Sequence, residues 1–403
     1  MKTAMHGLMA AFALTGAACV TDGQDGAMGE PGADGEDGEP GPMGAPGADG
    51  DPGPAGPQLA LPAVYTLSNA STGNGVAAYL RGSSGNLSRK GTYATGANGT
   101  GAGLGSQGAL AYDAKTQRFF AVNTGSSSIS MLALDGAGDM TSMSTVASGG
   151  MRPVSITVND GIVYVANQGD TAATNVGANI SGFRVMGNAL VPIAGSTRPL
   201  SATTDVRPTD IEFTPDGKYL VVAERFANKL DTFAVVNGVA QPGTFQTSAG
   251  MQPFAFDFSP EGHLVVAEVG SGAANGSTAS SYSIDTSGTL TPITSALPTL
   301  QTAACWLVTA GGYAYIANAA SANITGLVIA ENGVLSLRDA SGITATTAAG
   351  SIDLAVPPDR GYLYALAGNP RQIHIFSINS DGSLAAMPAL PGAPAAAAGL
   401  IAR

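Results

Sequence analysis

Charge and cysteine are what this chain of 403 residues has least of: 11% of residues are charged, with 17 Lys and Arg against 29 Asp and Glu, and there are 2 cysteines. So few basic residues leave no cationic footprint for a phosphate backbone and no polybasic segment for an anionic lipid surface, so nucleic acid is excluded as a partner. Cys19 and Cys305 cannot build a disulfide scaffold between them. Aromatics make up 6% of the chain, with a single Trp. No P-loop, HExxH, paired CxxC or GxSxG elbow occurs. Gly103 to Gly108 is Gly-rich but neither follows a strand nor leads into a helix as a dinucleotide loop must. Matches to Asn-x-Ser/Thr such as Asn69-Ala70-Ser71 carry little weight. Residues 59–403 contain no convincing amphipathic helix of ten or more residues.

Against these absences stands one excess. Glycine occupies every third position from Gly23 to Gly56, giving twelve Gly-X-Y triplets. Three polyproline II strands share a crowded axis only where each third residue lacks a side chain, so the register is specific for a collagen-like segment. The triplets carry eight acidic residues and no Lys or Arg. Three parallel copies would repel one another, so a trimer and a single self-repelling spacer both remain open. At roughly 3.1 Å per residue the segment reaches at most about 110 Å. Lys2 against nine carboxylates gives residues 1–58 a net charge of −8, which leaves −4 of the total −12 for the rest.

The first residues read as an export signal: Lys2, then a small apolar run from Gly7 to Ala18 that is too short for a permanent span, closing in Gly16-Ala17-Ala18-Cys19. The stretch resembles bacterial lipoprotein signals, with Gly16 where those normally carry Leu. The resemblance implies cleavage after Ala18 and lipid attachment at Cys19; ordinary cleavage at the same place is the alternative. The expected divisions are a signal peptide over 1–18, a lipid-anchor cysteine and stalk over 19–58, and a folded body over 59–403. The expected location is the bacterial cell envelope, membrane-anchored or extracellular, with the membrane contacted through the lipid alone.

The body repeats itself. An apolar strand ending in a polar or small residue recurs seven times: VYTLS, FFAVN, VYVAN, LVVAE, LVVAE, AYIAN and LYALA, closing at Ser68, Asn123, Asn167, Glu224, Glu268, Asn318 and Ala367. Each is followed by a second strand such as ANISGFRV (Ala178 to Val185) or RQIHIFSI (Arg371 to Ile378), and turns such as Thr214-Pro215-Asp216-Gly217 precede several of them. The strand ends lie 44 to 57 residues apart, near the period of a four-stranded propeller blade. One such sheet cannot bury both faces, whereas seven arranged radially cover one another and hide their edges. The expected fold is therefore all-β: a seven-bladed β-propeller of four-stranded antiparallel blades behind an extended collagen-like stalk, with the two termini sharing a blade. Six or eight blades are the alternatives.

These repeats resemble the seven-bladed lactonase-like propellers, which include bacterial 6-phosphogluconolactonase and carboxymuconate cyclase, with kinship to YVTN-repeat surface proteins. The residues carrying the resemblance are Gly103-Leu104-Gly105-Ser106-Gln107-Gly108, the VYVAN and ANISGFRV pair, Thr214-Pro215-Asp216-Gly217-Lys218, Ala303-Ala304-Cys305-Trp306 and Ala317-Asn318. In enzymatic members a Pro-Arg-His step before one strand, and a Glu closing that strand, handle the lactone. The matching places here read Pro253-Phe254-Ala255 with Glu268 and Pro208-Thr209-Asp210 with Glu224: the glutamates match and the Arg and His do not. The resemblance thus implies a lactone hydrolase only in a form using Glu224 and Glu268, or a divalent cation held by them. No other cofactor is evident.

Radial symmetry predicts that Asn123, Asn167, Glu224, Glu268 and Asn318 form a partial ring near one mouth of the channel, with Arg152, Arg207 and Trp306 adding cations and an aromatic floor. The competing reading is that a strand-ending Asn or Glu simply accepts hydrogen bonds from its turn. Asp113, Asp210 and Asp257 are expected to bond backbone. His263 is expected in a solvated turn, His374 on an outward strand position, and Cys305 as a buried inert thiol. The leading function is a surface module that binds a small ligand, glycan or protein at the propeller mouth. The alternative is an extracytoplasmic lactone hydrolase.

Overall fold

The computed structural model describes residues 61–170, 177–202 and 205–403. The expected signal, Cys19 and the Gly-X-Y segment lie outside the described residues. What is described is built from strands, apart from a single 3-10 turn at Thr124–Ser126. The strands form seven antiparallel sheets of four or five strands.

Blade 1 takes Ala63–Leu67, Gly75–Arg81 and Leu87–Ala94 from the start of the body, and its innermost strand, Ala398–Ala402, from the end. The termini therefore share this blade: Ala398–Ala402 pairs antiparallel with Ala63–Leu67, and Thr66 Oγ1 donates to the Gly399 carbonyl at 2.7 Å. The innermost strands of blades 2 to 7 are Leu110–Asp113, Pro153–Asn159, Pro208–Phe213, Pro253–Phe258, Ala304–Ala310 and Ser351–Ala355. Each touches the innermost strand of the blade before and after it, and that of blade 7 touches Ala398–Ala402, so the ring closes at seven. A closed ring leaves no inner sheet edge to pair with another chain.

The recurring strands read from the sequence are the second strand of each sheet. They read as continuous apolar runs because a neighbouring blade covers each face: Arg118–Asn123, Tyr219–Glu224 and Tyr313–Asn318 are buried at every residue after the first. Outermost strands such as Leu87–Ala94 alternate with solvent. Between blades, Tyr65 of blade 1 meets Phe119 of blade 2 with ring centroids 4.5 Å apart. Tyr364 of blade 7 donates to the Gly85 carbonyl in the outer turn of blade 1, and Tyr315 of blade 6 to Gly382 in that of blade 7, both at 2.9 Å. These turns require glycine twice over: φ is +80° and +76°, and a Cβ would lie 2.2 and 2.4 Å from the rings of Tyr362 and Tyr313.

Candidate functional site

Antiparallel pairing brings the end of each second strand beside the start of the innermost strand: Pro153 faces Asn167, Pro208 faces Glu224, Pro253 faces Glu268 and Ala304 faces Asn318. The ring of polar strand ends expected from the repeats therefore exists at one end of the axis. It does not line an open mouth. Asn123, Asn167, Glu224, Glu268 and Asn318 are all fully buried. Their side chains tie the third strand and the linker entering each blade to the second strand. Asn123 donates to Ser130 Oγ at 2.8 Å and accepts from Thr95 Oγ1 at 2.7 Å. Asn167 donates to the Ser148 carbonyl at 3.3 Å and to Asn179 Oδ1 at 3.0 Å. Asn318 donates to Asn323 Oδ1 and Thr325 Oγ1, each at 2.8 Å.

The two glutamates do the same work with carboxyl oxygens. Glu268 accepts from the Gly250 amide at 2.8 Å, Ser248 Oγ at 3.1 Å and Thr278 Oγ1 at 2.5 Å. Burial pushes its carboxyl up, and these hydrogen bonds oppose the shift. Gly250 is needed for the approach, since a Cβ there would meet the carboxylate at 1.7 Å. Glu224 accepts from the Ser201 amide at 2.7 Å and from Ser201 Oγ. Across the hairpin lies Asp231, buried with neither carboxyl oxygen hydrogen-bonded by the usual donors; burial, and then Glu224, hold its carboxyl well above the ordinary range. Asp231 stands where blades 2, 3, 5 and 6 place Ser130, Ser181, Ser280 and Thr325. Among the described residues no three carboxylate, imidazole or thiolate groups converge to hold a metal ion.

The Gly103–Gly108 segment plugs the channel at this end. Ser106 Oγ donates to the Val154 carbonyl of blade 3 at 2.8 Å, and the Gln107 amide to Thr209 of blade 4 at 2.8 Å. Gln107 Nε2 donates to Phe256 of blade 5 at 3.2 Å, and Gln107 Oε1 accepts from the Leu307 amide of blade 6 at 3.0 Å. Trp306 is almost wholly buried, and its indole N–H donates to the Ser106 carbonyl at 3.0 Å. It therefore anchors the plug; it is not the open aromatic floor the sequence predicts. The glycines allow this course: Gly108 has φ +70°, and a Cβ there would lie 2.7 Å from Ser155 Oγ.

Beyond the plug is a cavity of about 510 Å³, lined from Gln107 and Gly108 to Thr214 and Pro215 at the finish of the innermost strands. It is an acidic place. Asp210 sits behind the plug, accepting from the Phe256 amide at 3.1 Å and Ser155 Oγ at 3.3 Å, and its complete burial raises its pKa to about 8. Asp257 accepts from the Thr309 amide at 2.7 Å and is also shifted up by burial. Burial first, then the charges of Asp210 and Asp257, raise Glu212; burial also raises Asp353. Glu212 and Asp257 are partly exposed, and both line this cavity. The sequence reading of Asp210 and Asp257 as backbone acceptors is right, and it misses that they share a channel with Glu212 and Asp353.

On the outer side of the plugged end, Arg207 precedes an innermost strand with φ +52°, as Arg152 does with φ +56°. The Arg207 guanidinium lies 4.6 Å from the centroid of Phe226, and that of Arg225 lies 5.5 Å from the same ring. Arg225 also donates to Gln252 Oε1 at 3.0 Å and reaches Phe254, which packs edge-on against Trp306 at 5.1 Å. Phe226 is 52% exposed and Met251 55%. Arg207 and Trp306 are thus joined through residues the sequence did not single out, while Arg152 is exposed elsewhere on the rim. Sequence reasoning passed over Arg225 and Phe226 because they follow the repeat and do not belong to it. Burial pushes the Cys305 thiol up to about 12, so it is inert. His263 bonds the Glu331 carbonyl from its turn, and His374 is half-buried, accepts from the Ala348 amide at 2.9 Å and is shifted down by burial.

A family model described as lactonase, 7-bladed beta-propeller, matches residues 192–308. The body is a seven-bladed propeller that is similar to the lactonase family over those residues. A collagen triple helix repeat model matches residues 17–60. A Bacteroides uniformis protein provisionally named 6-phosphogluconolactonase is similar in structure, with 18% identity, 85% of this chain and 99% of that chain covered, and a TM-score of 0.67. A Lactobacillus plantarum protein gives 17%, 85%, 99% and 0.68, and a periplasmic gluconolactonase from Pseudomonas aeruginosa 15%, 84%, 98% and 0.62. At these identities the likeness is one of fold. No curated protein matches the chain. The lactonase-like segment 192–308 spans the linkers, strands and turns that hold Glu224, Glu268, Arg207 and Arg225.

Proposed function

We propose that this lactonase-like propeller is a binding module, carried on its collagen-like segment and held to a membrane through a lipid on Cys19, whose plugged rim receives a ligand bearing a carboxylate. The observation that supports this most is the pair of guanidiniums, Arg207, which also pairs with Asp205 at 3.0 Å, and Arg225, that lie 4.6 and 5.5 Å from the exposed Phe226 ring. Guanidinium forks suit a carboxylate, and an exposed ring offers a flat face to a sugar or other apolar body. An acidic sugar combines both features. The collagen-like match also accords with a trimeric display, in which three rims would act together. The test is calorimetric titration of the full chain with glucuronate, gluconate and glucose. Binding of the acids, absent for glucose and lost in Arg207→Ala and Arg225→Ala, is expected; equal binding of glucose, or none of any sugar acid, would overturn it.

A second reading, lactone hydrolysis, is favoured by the lactonase-like match across the two blades that carry Glu224 and Glu268. Against it, both carboxylates are buried and already accept hydrogen bonds from linkers. An assay against a lactone panel with and without divalent metal decides: turnover abolished by Glu224→Gln or Glu268→Gln at unchanged stability would establish the enzyme.

A further inference from the structure

We propose that the central cavity, on the far side of the plug from the rim, is a second binding site, which takes an organic ammonium: a protonated primary amine on a compact apolar body. It rests on different residues from the rim and stands or falls separately. The cavity of about 510 Å³ is within the range of small-molecule sites. Three of its lining residues, Glu212, Asp257 and Asp353, carry carboxyls, and no Lys, Arg or His is among them. The cation nearest in sequence, Arg403, instead stacks over the Tyr112 ring at 4.8 Å and engages Tyr65.

An acceptor is left over in this lining. Glu212 is partly exposed in this lining and accepts no hydrogen bond from the described residues, whereas Asp353, 2% exposed, has the Leu354 amide on Oδ1 and the Gly399 and Leu400 amides beside it. A carboxyl without a partner is costly to enclose, so Glu212 points to a donor supplied from outside. An ammonium brings three N–H donors and a charge of the sign that these carboxyls are short of. A metal ion would need several oxygens converging within about 2.6 Å, which the absence of any three-group cluster among the described residues disfavours. Apolar walls from Leu110, Ile156, Ile211 and Leu307 suit a hydrocarbon body in place of a hydration shell.

The experiment is titration calorimetry of the full chain with hexylamine, hexan-1-ol, hexanoate and calcium chloride. Hexylamine is expected to bind at least about tenfold more tightly than hexanol, a gap of about 1.4 kcal/mol, with no hexanoate binding. The same loss of about tenfold is expected for the amine with Glu212→Gln and Asp353→Asn. Amide replacement resembles the neutral carboxyl that burial favours while no cation is bound, so folding is retained, and the charge that would pair with the ammonium is what the variants lack; thermal unfolding checks the first point. The contrast of amine with alcohol needs no variant. Hexanol binding as tightly as the amine, calcium binding in its place, or unchanged amine affinity in both folded variants would each overturn the proposal.

Discussion

The two sides of the plug differ in sign and in construction. On the rim, guanidiniums and an exposed ring stand on turns that follow the second strands, and on left-handed residues that precede the innermost ones. In the cavity, carboxyls project from the innermost strands themselves, among residues that hold the ring together. Residues on turns can change with little effect on the fold, whereas those in the ring are tied to stability. The difference teaches that one axis can carry two chemistries, provided that something divides it, and Ser106 to Gly108 divide it here.

Breaking the divider should have the largest effect. Trp306→Ala removes the anchor of the plug and the contact with Phe254, and is expected to cost about 3–5 kcal/mol in urea unfolding. Glu268→Gln replaces a carboxylate that accepts from an amide and two hydroxyls; a loss of about 1–3 kcal/mol is expected by the same measurement, with Asn123→Ala similar. Equal stability of Glu268→Gln and the parent would argue that the residue is kept for chemistry.

The acidity of the cavity sets a pH dependence. Asp210 has a folded pKa of about 8, and burial also raises Glu212, Asp257 and Asp353. A carboxyl raised in the folded state contributes stability that is present below its unfolded value and lost as pH rises through its folded value. The melting temperature should therefore fall by a few degrees between pH 5 and pH 8, and Asp353→Asn should flatten that slope. On the rim the expectation is opposite: Phe226→Ala and Arg225→Ala should change stability by under about 0.5 kcal/mol while abolishing ligand binding. A large loss of stability in either would erase the contrast between the two sides.

Much of the fold was legible. The seven second strands announced themselves because each is covered on both faces, which forces an unbroken apolar run such as LVVAE. The innermost strands did not, since PTDIEF, PFAFDF and SIDLA mix apolar residues with the carboxyls that face the channel. The strand-end residues were placed at the right end of the axis by their common register, but not their burial, which depends on linkers about 20 residues away in sequence, such as Ser201 and Gly250. Trp306 was likewise found and its role was not, because its partner Ser106 lies 200 residues earlier.

Sequence alone determined the period of the blades and the collagen-like register, because each is a local pattern repeated along the chain, and it led to the expectation of seven blades with the termini sharing one, which the closed ring bears out. Only the tertiary structure decided which polar side chains are spent on holding linkers, that a Gly-rich segment closes the channel, and that Glu212, Asp257 and Asp353 line one cavity. Those depend on which blades the closed ring brings face to face, and no stretch of neighbouring residues records that.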